Sequence, residues 1–504
     1  MSLAMSLDRR PLILIALAGA CALALGACAV GPDFQRPKPD LPQAWHAASS
    51  PAAASRADPG AVAEAAWWTS FGDPELTSLI GRAAQANPDL QQAALRIAEA
   101  RAQREMAAAQ GLPSLNADAS WTGQRLSEST PTGKLFTQVG KIPGLPVGAG
   151  LSIPNPYGQY QLGFDASWEL DLFGRVRRGV EAARAGEEAA AWDQRGAELS
   201  LFGEVARAYV DLRGAQAKRA VTLETIATLN ELLGLARQRR WAGLSSDIDV
   251  SRAAAQVTAA EAALPLLEAE IASDINQLSR LVDRPPGALS AELSAARAVP
   301  PAPPVVPVGL PADLARRRPD ILGAESRLHA AVAEQGVAMA DLYPRVTLTA
   351  SAGDQSEDLA HLLDWASRFG VIEPQVQLPI FDAGRRRANV RLQDAKAREA
   401  ALDYAKTVLG ALHEVDDALS AYDAEQRRRA SLGATVAQNR TAVDLAMDRY
   451  RSGIGDFLAV LDAQRAQQQT QLQFADSTTA VSTDLVVLYK ALGGGWQAAS
   501  NAGG

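Results

Sequence analysis

Four short segments of the chain alternate apolar and polar residues almost without error, each where a long helical stretch ends. In the first, Leu115, Ala117, Ala119 and Trp121 alternate with Asn116, Asp118, Ser120 and Thr122; in the second, Tyr160, Leu162, Phe164, Ala166, Trp168 and Leu170 alternate with Gln161, Gly163, Asp165, Ser167 and Glu169. The second half repeats the theme with Val346, Leu348, Ala350 and Ala352, and with Val376, Leu378 and Ile380. A period of two with one apolar and one polar face is what a strand needs when lipid lies on one side and water on the other. Four strands do not close a spanning barrel, for which about eight are the minimum, and open sheet edges are not tolerated in lipid. If these strands cross a membrane, the barrel is shared between copies of the chain.

Proline placement sets the helix lengths. None occurs between Pro156 and Pro265 and none after Pro379. In each gap a stretch rich in Ala, Leu, Gln, Glu and Arg runs for roughly 65 residues to Gly243 or Gly453, about 100 Å if helical throughout. The two gaps belong to an internal duplication. Asn87-Pro88-Asp89 matches Arg318-Pro319-Asp320, Leu112-Pro113 matches Tyr343-Pro344, and Leu170-Asp171-Leu172-Phe173-Gly174-Arg175 resembles Leu378-Pro379-Ile380-Phe381 with Gly384-Arg385. Arg240-Trp241-Ala242-Gly243-Leu244 lines up with Tyr450-Arg451-Ser452-Gly453-Ile454, allowing one residue of slack. Each half therefore reads helix, strand, loop, strand, very long helix, turn, long helix, which suggests two fused copies of one unit.

The expected organisation is a signal peptide over 1–27, an N-terminal arm over 28–73, a first repeat over 74–284 and a Pro-rich linker over 285–310. A second repeat over 311–493 and a tail over 494–504 complete it. Strands are expected near 113–123, 159–171, 344–353 and 371–380, joined by loops over 123–157 and 353–370.

The N-terminus carries an export signal. Arg9 and Arg10 precede an apolar stretch from Leu12 to Ala20 that is too short to span a bilayer, and Leu25-Gly26-Ala27-Cys28 reads as a lipobox, the site where a bacterial lipoprotein is cleaved and its cysteine acylated. Ala29 follows, so no aspartate retains the protein at the inner membrane. The other cysteine, Cys21, lies in the segment to be removed, which excludes disulfides and cysteine metal sites in the mature chain. Cleavage removes Asp8, Arg9 and Arg10 and shifts the formal charge from -8 to -9, a balance that argues against a nucleic-acid partner. Catalytic signatures are missing. There is no phosphate-cradling G-x-x-x-x-G-K-[ST] loop and no hydrolase elbow, and the four histidines, His46, His329, His361 and His413, are scattered without metal-ligand spacing.

With these residues in view, the chain resembles the TolC-like outer-membrane factors, specifically the lipidated OprM/NodT-type branch. The carriers are Cys28-Ala29-Val30-Gly31-Pro32-Asp33-Phe34, Trp67-Trp68 with Phe71-Gly72-Asp73-Pro74, Trp168-Glu169-Leu170-Asp171-Leu172-Phe173-Gly174, Arg316-Arg317-Arg318-Pro319-Asp320, and Tyr450-Arg451-Ser452-Gly453 with Val460-Leu461-Asp462-Ala463-Gln464-Arg465. The resemblance implies a mainly α protein with a membrane β-barrel part. Its fold would be a duplicated helix-strand-strand-helix repeat whose homotrimer builds a twelve-stranded barrel continuous with a long α-helical periplasmic tunnel. It implies no enzyme and no cofactor, only N-acyl (palmitate) and S-diacylglycerol groups on Cys28. The function implied is the outer-membrane exit duct of a tripartite efflux pump of the kind that underlies antibiotic resistance. Its partners would be a periplasmic adaptor (membrane fusion) protein, an inner-membrane RND transporter (or an ABC or MFS pump) and outer-membrane lipid. Type I protein secretion, metal-ion efflux and a non-conducting periplasmic structural lipoprotein are the alternatives.

The resemblance also assigns site residues. Leu458, Asp462 and Arg465 match positions that constrict the periplasmic aperture in OprM-like members, and their spacing of four and three puts them on one helical face. Asp249 and Tyr450 match partners of the TolC arginine latch, whereas the latch arginine itself falls on Gly455 and TolC's second aperture aspartate on Ala459. Gly243, Leu244, Gly453, Ile454 and Phe457 fit the tips that dock the adaptor, with Phe457 alternatively a buried packing residue. Trp67 and Trp68 are expected to pack in the equatorial region, and Trp121 and Trp168 to belong to aromatic belts at the lipid interface.

Overall fold

The computed structural model describes residues 29–47, 56–58, 65–127, 129–131 and 155–494. The expected signal peptide, the expected lipidation site Cys28, most of the 123–157 loop and nearly all of the tail lie outside the described residues. The chain divides into two compact units, one comprising 1–35, 101–185 and 329–398, the other 36–100, 186–328 and 399–504.

In chain order the elements are β1 (Arg56–Asp58), α1 (Pro74–Ala86), α2 (Pro88–Ala109), β2 (Ser114–Gln124), β3 (Tyr157–Leu170), α3 (Arg175–Trp241), α4 (Asp247–Glu261), α5 (Leu264–Leu281), α6 (Ser290–Leu293), β4 (Val305–Pro307), α7 (Pro311–Arg317), α8 (Pro319–Ala340), β5 (Arg345–Ser356), β6 (Arg368–Gln377), α9 (Arg385–Arg451) and α10 (Phe457–Ala491). The duplication is visible in the lengths: α2 and α8 have 22 residues each, α3 and α9 have 67 each. Glycines in the left-handed region punctuate both copies at matching places, with φ of 83° at Gly174 and Gly384 before the long helices and 73° and 78° at Gly243 and Gly453 after them. Those conformations cost glycine little and a side chain with a Cβ considerably more.

One helix of the pair is interrupted. The second copy has the unbroken 35-residue α10, whereas the first divides into α4 and α5, with Pro265 in the first turn of α5. Proline has no N–H to donate and its ring clashes with the carbonyl four residues back, so the helix restarts there.

The first unit holds a four-stranded antiparallel sheet in the order β2-β3-β5-β6. Leu115, Ala117, Ala119 and Trp121 stand opposite Ala166, Phe164, Leu162 and Tyr160. Ala166 and Phe164 face Ala350 and Ala352 on the other side, and these face Ile372 and Gly370. The register therefore joins the apolar positions of four strands into one face, left uncovered: β2 is exposed along its whole length and Ile372 is 76% exposed. Along β3, ten residues separate Tyr160 from Leu170, about 33 Å of strand at 3.3 Å per residue, or about 25 Å of depth at a tilt of about 40°. Among the described residues, β2 and β6 each pair on one side only, so the sheet is open at both edges.

Two expected boundaries change. β6 ends at Gln377, so Leu378 and Ile380 follow the strand rather than extend it; Pro379 cannot donate a ladder hydrogen bond. The second loop is also shorter than 353–370, because β5 continues to Ser356 and β6 starts at Arg368, leaving two 3-10 turns between them.

The second unit is helical and has two apolar cores. The larger surrounds Trp67, which is 2% exposed and stacks on Tyr489 at 5.2 Å between ring centroids. Trp68 packs against the same core and meets Phe202 edge-on. The residues between the repeats are packed rather than loose: Leu289, Leu293, Val306 and Val308 are buried, and the buried Arg213 donates to the carbonyl of Ala295 at 2.9 Å. β4 also pairs in parallel with β1. The smaller core, described next, lies where the long helices end.

Candidate functional site at the helix tips

Both long helices stop by the same device. Leu244 N donates to Arg239 O at 2.8 Å and Gly243 N to Arg240 O at 3.0 Å; Ile454 N donates to Arg449 O at 3.1 Å and Gly453 N to Tyr450 O at 3.0 Å. These are Schellman closures on a left-handed glycine, and they reverse the chain within a few residues. Each returning helix is then capped. Ser246 and Asp249 form a capping box at the start of α4, and Asp456 accepts from Leu458 N at the start of α10.

Between the reversals lies a small core of Leu229, Leu232, Leu233, Ala236, Ala253, Val257, Ala260, Tyr450, Phe457, Val460 and Leu461. Tyr450 and Phe457 pack ring to ring at 5.1 Å. Phe457 is 2% exposed, so it is a packing residue and offers no docking surface. Exposed apolar side chains at the tips include Trp241, Leu244, Ile248 and Ile454. Ile248 belongs to no motif and Trp241 only to the repeat match, so exposure is what singles both out.

Burial sorts the first turns of α10 into two faces. Val460, Leu461 and Gln464 are buried, whereas Leu458, Asp462 and Arg465 are exposed. The three proposed gate residues thus form one exposed stripe and are not members of the tip core. Arg465 Nη1 lies 3.8 Å from Asp462 Oδ1, both side chains well exposed, an i,i+3 pair worth a few tenths of a kcal/mol to one chain.

The latch positions do not assemble. Asp249 is occupied in its own turn: its carboxylate accepts from Ser245 Oγ at 2.8 Å and Ser246 N at 3.3 Å. Partial burial pushes its pKa up, but the hydrogen bonds from Ser245 and Ser246 outweigh that and hold it below the usual carboxylate range. Tyr450 is buried and its hydroxyl has no hydrogen-bond partner among the described residues. At Gly455, a Cβ would sit 2.9 Å from Arg449 C, Arg449 Cβ and Tyr450 N, so the turn leaves no room for an arginine. The residue that does reach across is Arg239. Its guanidinium carbon lies 4.5 Å from the Tyr450 ring centroid and its Nη1 donates to Tyr450 O at 2.9 Å. Arg239 carries no signal in the sequence, because an arginine in the last turn of a helix is favourable anywhere.

Among the described residues, no helix is long and apolar enough to cross a membrane, and no group of three or more His, Cys, Asp or Glu is placed to hold a metal ion. A family model described as outer membrane efflux protein matches residues 79–283 and 310–494. The chain belongs to the outer membrane efflux protein family. The two matched stretches correspond to the two repeats and are separated by residues 284–309. Among its relatives, outer membrane protein OprJ of Pseudomonas aeruginosa is 36% identical over 487 residues, covering 94% of each chain. The solvent efflux pump outer membrane protein SrpC of Pseudomonas putida is 34% identical over 492 residues, covering 95% of this chain and 98% of its own. The solved outer-membrane channel OprN superposes with a TM-score of 0.82 at 35% identity, covering 93% of this chain and all of that one. The fold is that of the trimeric outer-membrane channels, and the protein is an outer-membrane efflux channel that extends into the periplasm. Trimerisation gives the open-edged sheet its missing neighbours: three copies of four strands make twelve.

Proposed function

We propose that the protein is the exit duct of a tripartite RND-type efflux system, conducting drugs or other small toxic compounds passively from an adaptor and inner-membrane pump to the exterior. The observation that carries this reading is the sheet of the first unit, apolar on one face, polar on the other and open at both edges. Three such sheets, joined edge to edge, enclose a polar lumen behind a lipid-facing wall, with the barrel continuing into a helical tunnel. Acylation at Cys28 would tether each copy to the inner leaflet.

The gate is the stripe Leu458, Asp462 and Arg465, which becomes three rings around a three-fold axis. Three converging carboxylates repel one another, and Arg465, one turn on, supplies the compensating charge. The adaptor docks on the tips through Gly243, Leu244, Gly453 and Ile454, beside the exposed Trp241 and Ile248. SrpC is named for solvent efflux, which favours small apolar organic compounds as the cargo here too.

Complementation tests this reading. In a strain lacking its own outer-membrane efflux channel, expression with an RND pump and adaptor is expected to lower accumulation of a small lipophilic dye and raise solvent tolerance. Accumulation and tolerance unchanged, with correctly inserted trimer confirmed, would contradict the assignment.

A further inference from the structure

The loop that joins β5 to β6 is short, closely hydrogen-bonded and unexpectedly apolar. Ala360 N donates to Asp358 Oδ1 at 3.0 Å, Ser367 Oγ donates to His361 O at 2.7 Å, and His361 Nδ1 lies 2.9 Å from Asp364 Oδ2. From this frame Leu359, Leu363 and Trp365 project into open space, Trp365 at 80% exposure. β5 begins just after α8 and β6 ends just before α9, so the loop lies at the strand ends away from those helices, the exterior end of the sheet.

The register gives the loop a task. On the apolar face the first hairpin stays apolar to the level of Trp121 and Tyr160, which is the level of Ser356. The second hairpin runs out sooner, at Ala352 opposite Gly370. From Val346 to Ala352 is six residues, about 20 Å of strand, or about 15 Å of depth at a tilt of 40°, against a band of about 25 Å. The next pair on that face is charged: Asp354 stands opposite Arg368, with Oδ1 3.9 Å from Nε. Charges on a lipid-facing wall are costly in proportion to their depth. Trp365 lies against the arginine of that pair, its ring centroid 4.1 Å from the Arg368 guanidinium carbon. Since Arg368 shares the face of Gly370, Ile372 and Val376, the indole is placed on the lipid side of the sheet.

We propose that the 357–367 loop is a lipid-seated cap, with Trp365, Leu359 and Leu363 inserted at the boundary between acyl chains and headgroups of the outer leaflet. It completes the apolar band where the second hairpin falls short and shields the Asp354–Arg368 pair from hydrocarbon. The occupant is lipid because the patch continues a face that already meets lipid and because Trp and Leu around a paired charge suit that boundary.

The test uses the full-length channel in proteoliposomes, with the Trp365 emission isolated as the difference between wild type and Trp365→Phe. Lipids brominated near the headgroup are expected to quench that emission strongly, lipids brominated at the chain terminus weakly, and aqueous iodide hardly at all. Quenching by iodide without quenching by either brominated lipid would overturn the proposal and leave a water-exposed loop. Protection from all three quenchers would also overturn it, by placing protein over the indole. A nitroxide on Leu363→Cys gives an independent reading: greater collision with dissolved oxygen than with a polar nickel complex is expected, and the reverse order contradicts the proposal.

Discussion

Arg239 and Tyr450 join the ends of the two long helices: the guanidinium lies over the phenol ring at 4.5 Å and donates to the Tyr450 carbonyl at 2.9 Å. One side chain thus ties the last turn of α3 to the last turn of α9, beside the proposed gate helix. The contact has a cost, because Arg239 Nε and the Tyr450 hydroxyl are buried without hydrogen-bond partners among the described residues.

Replacing that arginine is therefore expected to loosen the tips selectively. Arg239→Ala removes a charged hydrogen bond and a cation–π contact, together about 1–3 kcal/mol. Hydrogen exchange over 236–250 and 444–462 should accelerate, while the core around Trp67 keeps its protection. Arg239→Lys should fall in between, since an ammonium does not reproduce the planar stacking and the fork. Equal exchange in wild type and Arg239→Ala would show that the contact carries no load.

Gly455 separates this chain from a TolC-type lock. Its would-be Cβ meets Arg449 and Tyr450 backbone atoms at 2.9 Å, so Gly455→Arg must displace the turn that closes α9. The expected result is a loss of about 1–3 kcal/mol at the tip and a leakier channel rather than a restored latch. Thermal unfolding of that variant, read beside its conductance, decides the matter. An unchanged melting temperature with tighter closure would mean that the turn has more freedom than its geometry allows.

The helical unit carries a pH dependence of its own. Burial, then the neighbouring Asp211 and Glu270 charges, push the Asp274 carboxyl up to about 6, with Lys218 opposing. These four side chains line a cleft together with Asp476 and Asp484 of α10. A folded-state value above the unfolded one means that the folded protein binds the proton more tightly. The stabilisation is complete below about pH 4, is lost as pH rises through about 6, and is absent above. Because Asp274 is only half-buried, screening reduces the effect to about 1 kcal/mol. Asp274→Asn should flatten the profile between pH 4 and pH 6 and stabilise the protein at about pH 7. Urea unfolding at both ends of that range checks it, and an undiminished slope in Asp274→Asn would assign the titration elsewhere.

Much of the architecture is legible in the sequence because lipid and water impose opposite demands on alternate residues. A one-residue slip would turn Leu115, Ala117, Ala119 and Trp121 inward, so their pattern states both strand and face. The long helices are legible because proline is excluded from their interiors. Less is legible where tertiary packing decides. Leu378 and Ile380 continue the alternation, yet Pro379 ends the ladder before them. Phe457 sits in a tip turn that reads equally well as surface or core, and only the pairing with Tyr450 makes it core. Arg239 has no pattern at all, since its role depends on a residue 211 positions away. The stripe of Leu458, Asp462 and Arg465 follows from helical spacing, but its exposure depends on which face Val460 and Leu461 turn to the tip core.

Single-channel conductance in planar bilayers tests the central claim most directly, with wild type measured beside the Leu458→Ala, Asp462→Ala double variant. The pair Asp462–Arg465 is exposed and the stripe lies outside the tip core, so the variant should unfold at the wild-type temperature. Small wild-type currents and a several-fold larger current in the variant are predicted, because the rings that narrow the aperture are gone. Equal, sizeable currents would remove the gate from these residues, and no current from either protein despite confirmed insertion would contradict the channel itself.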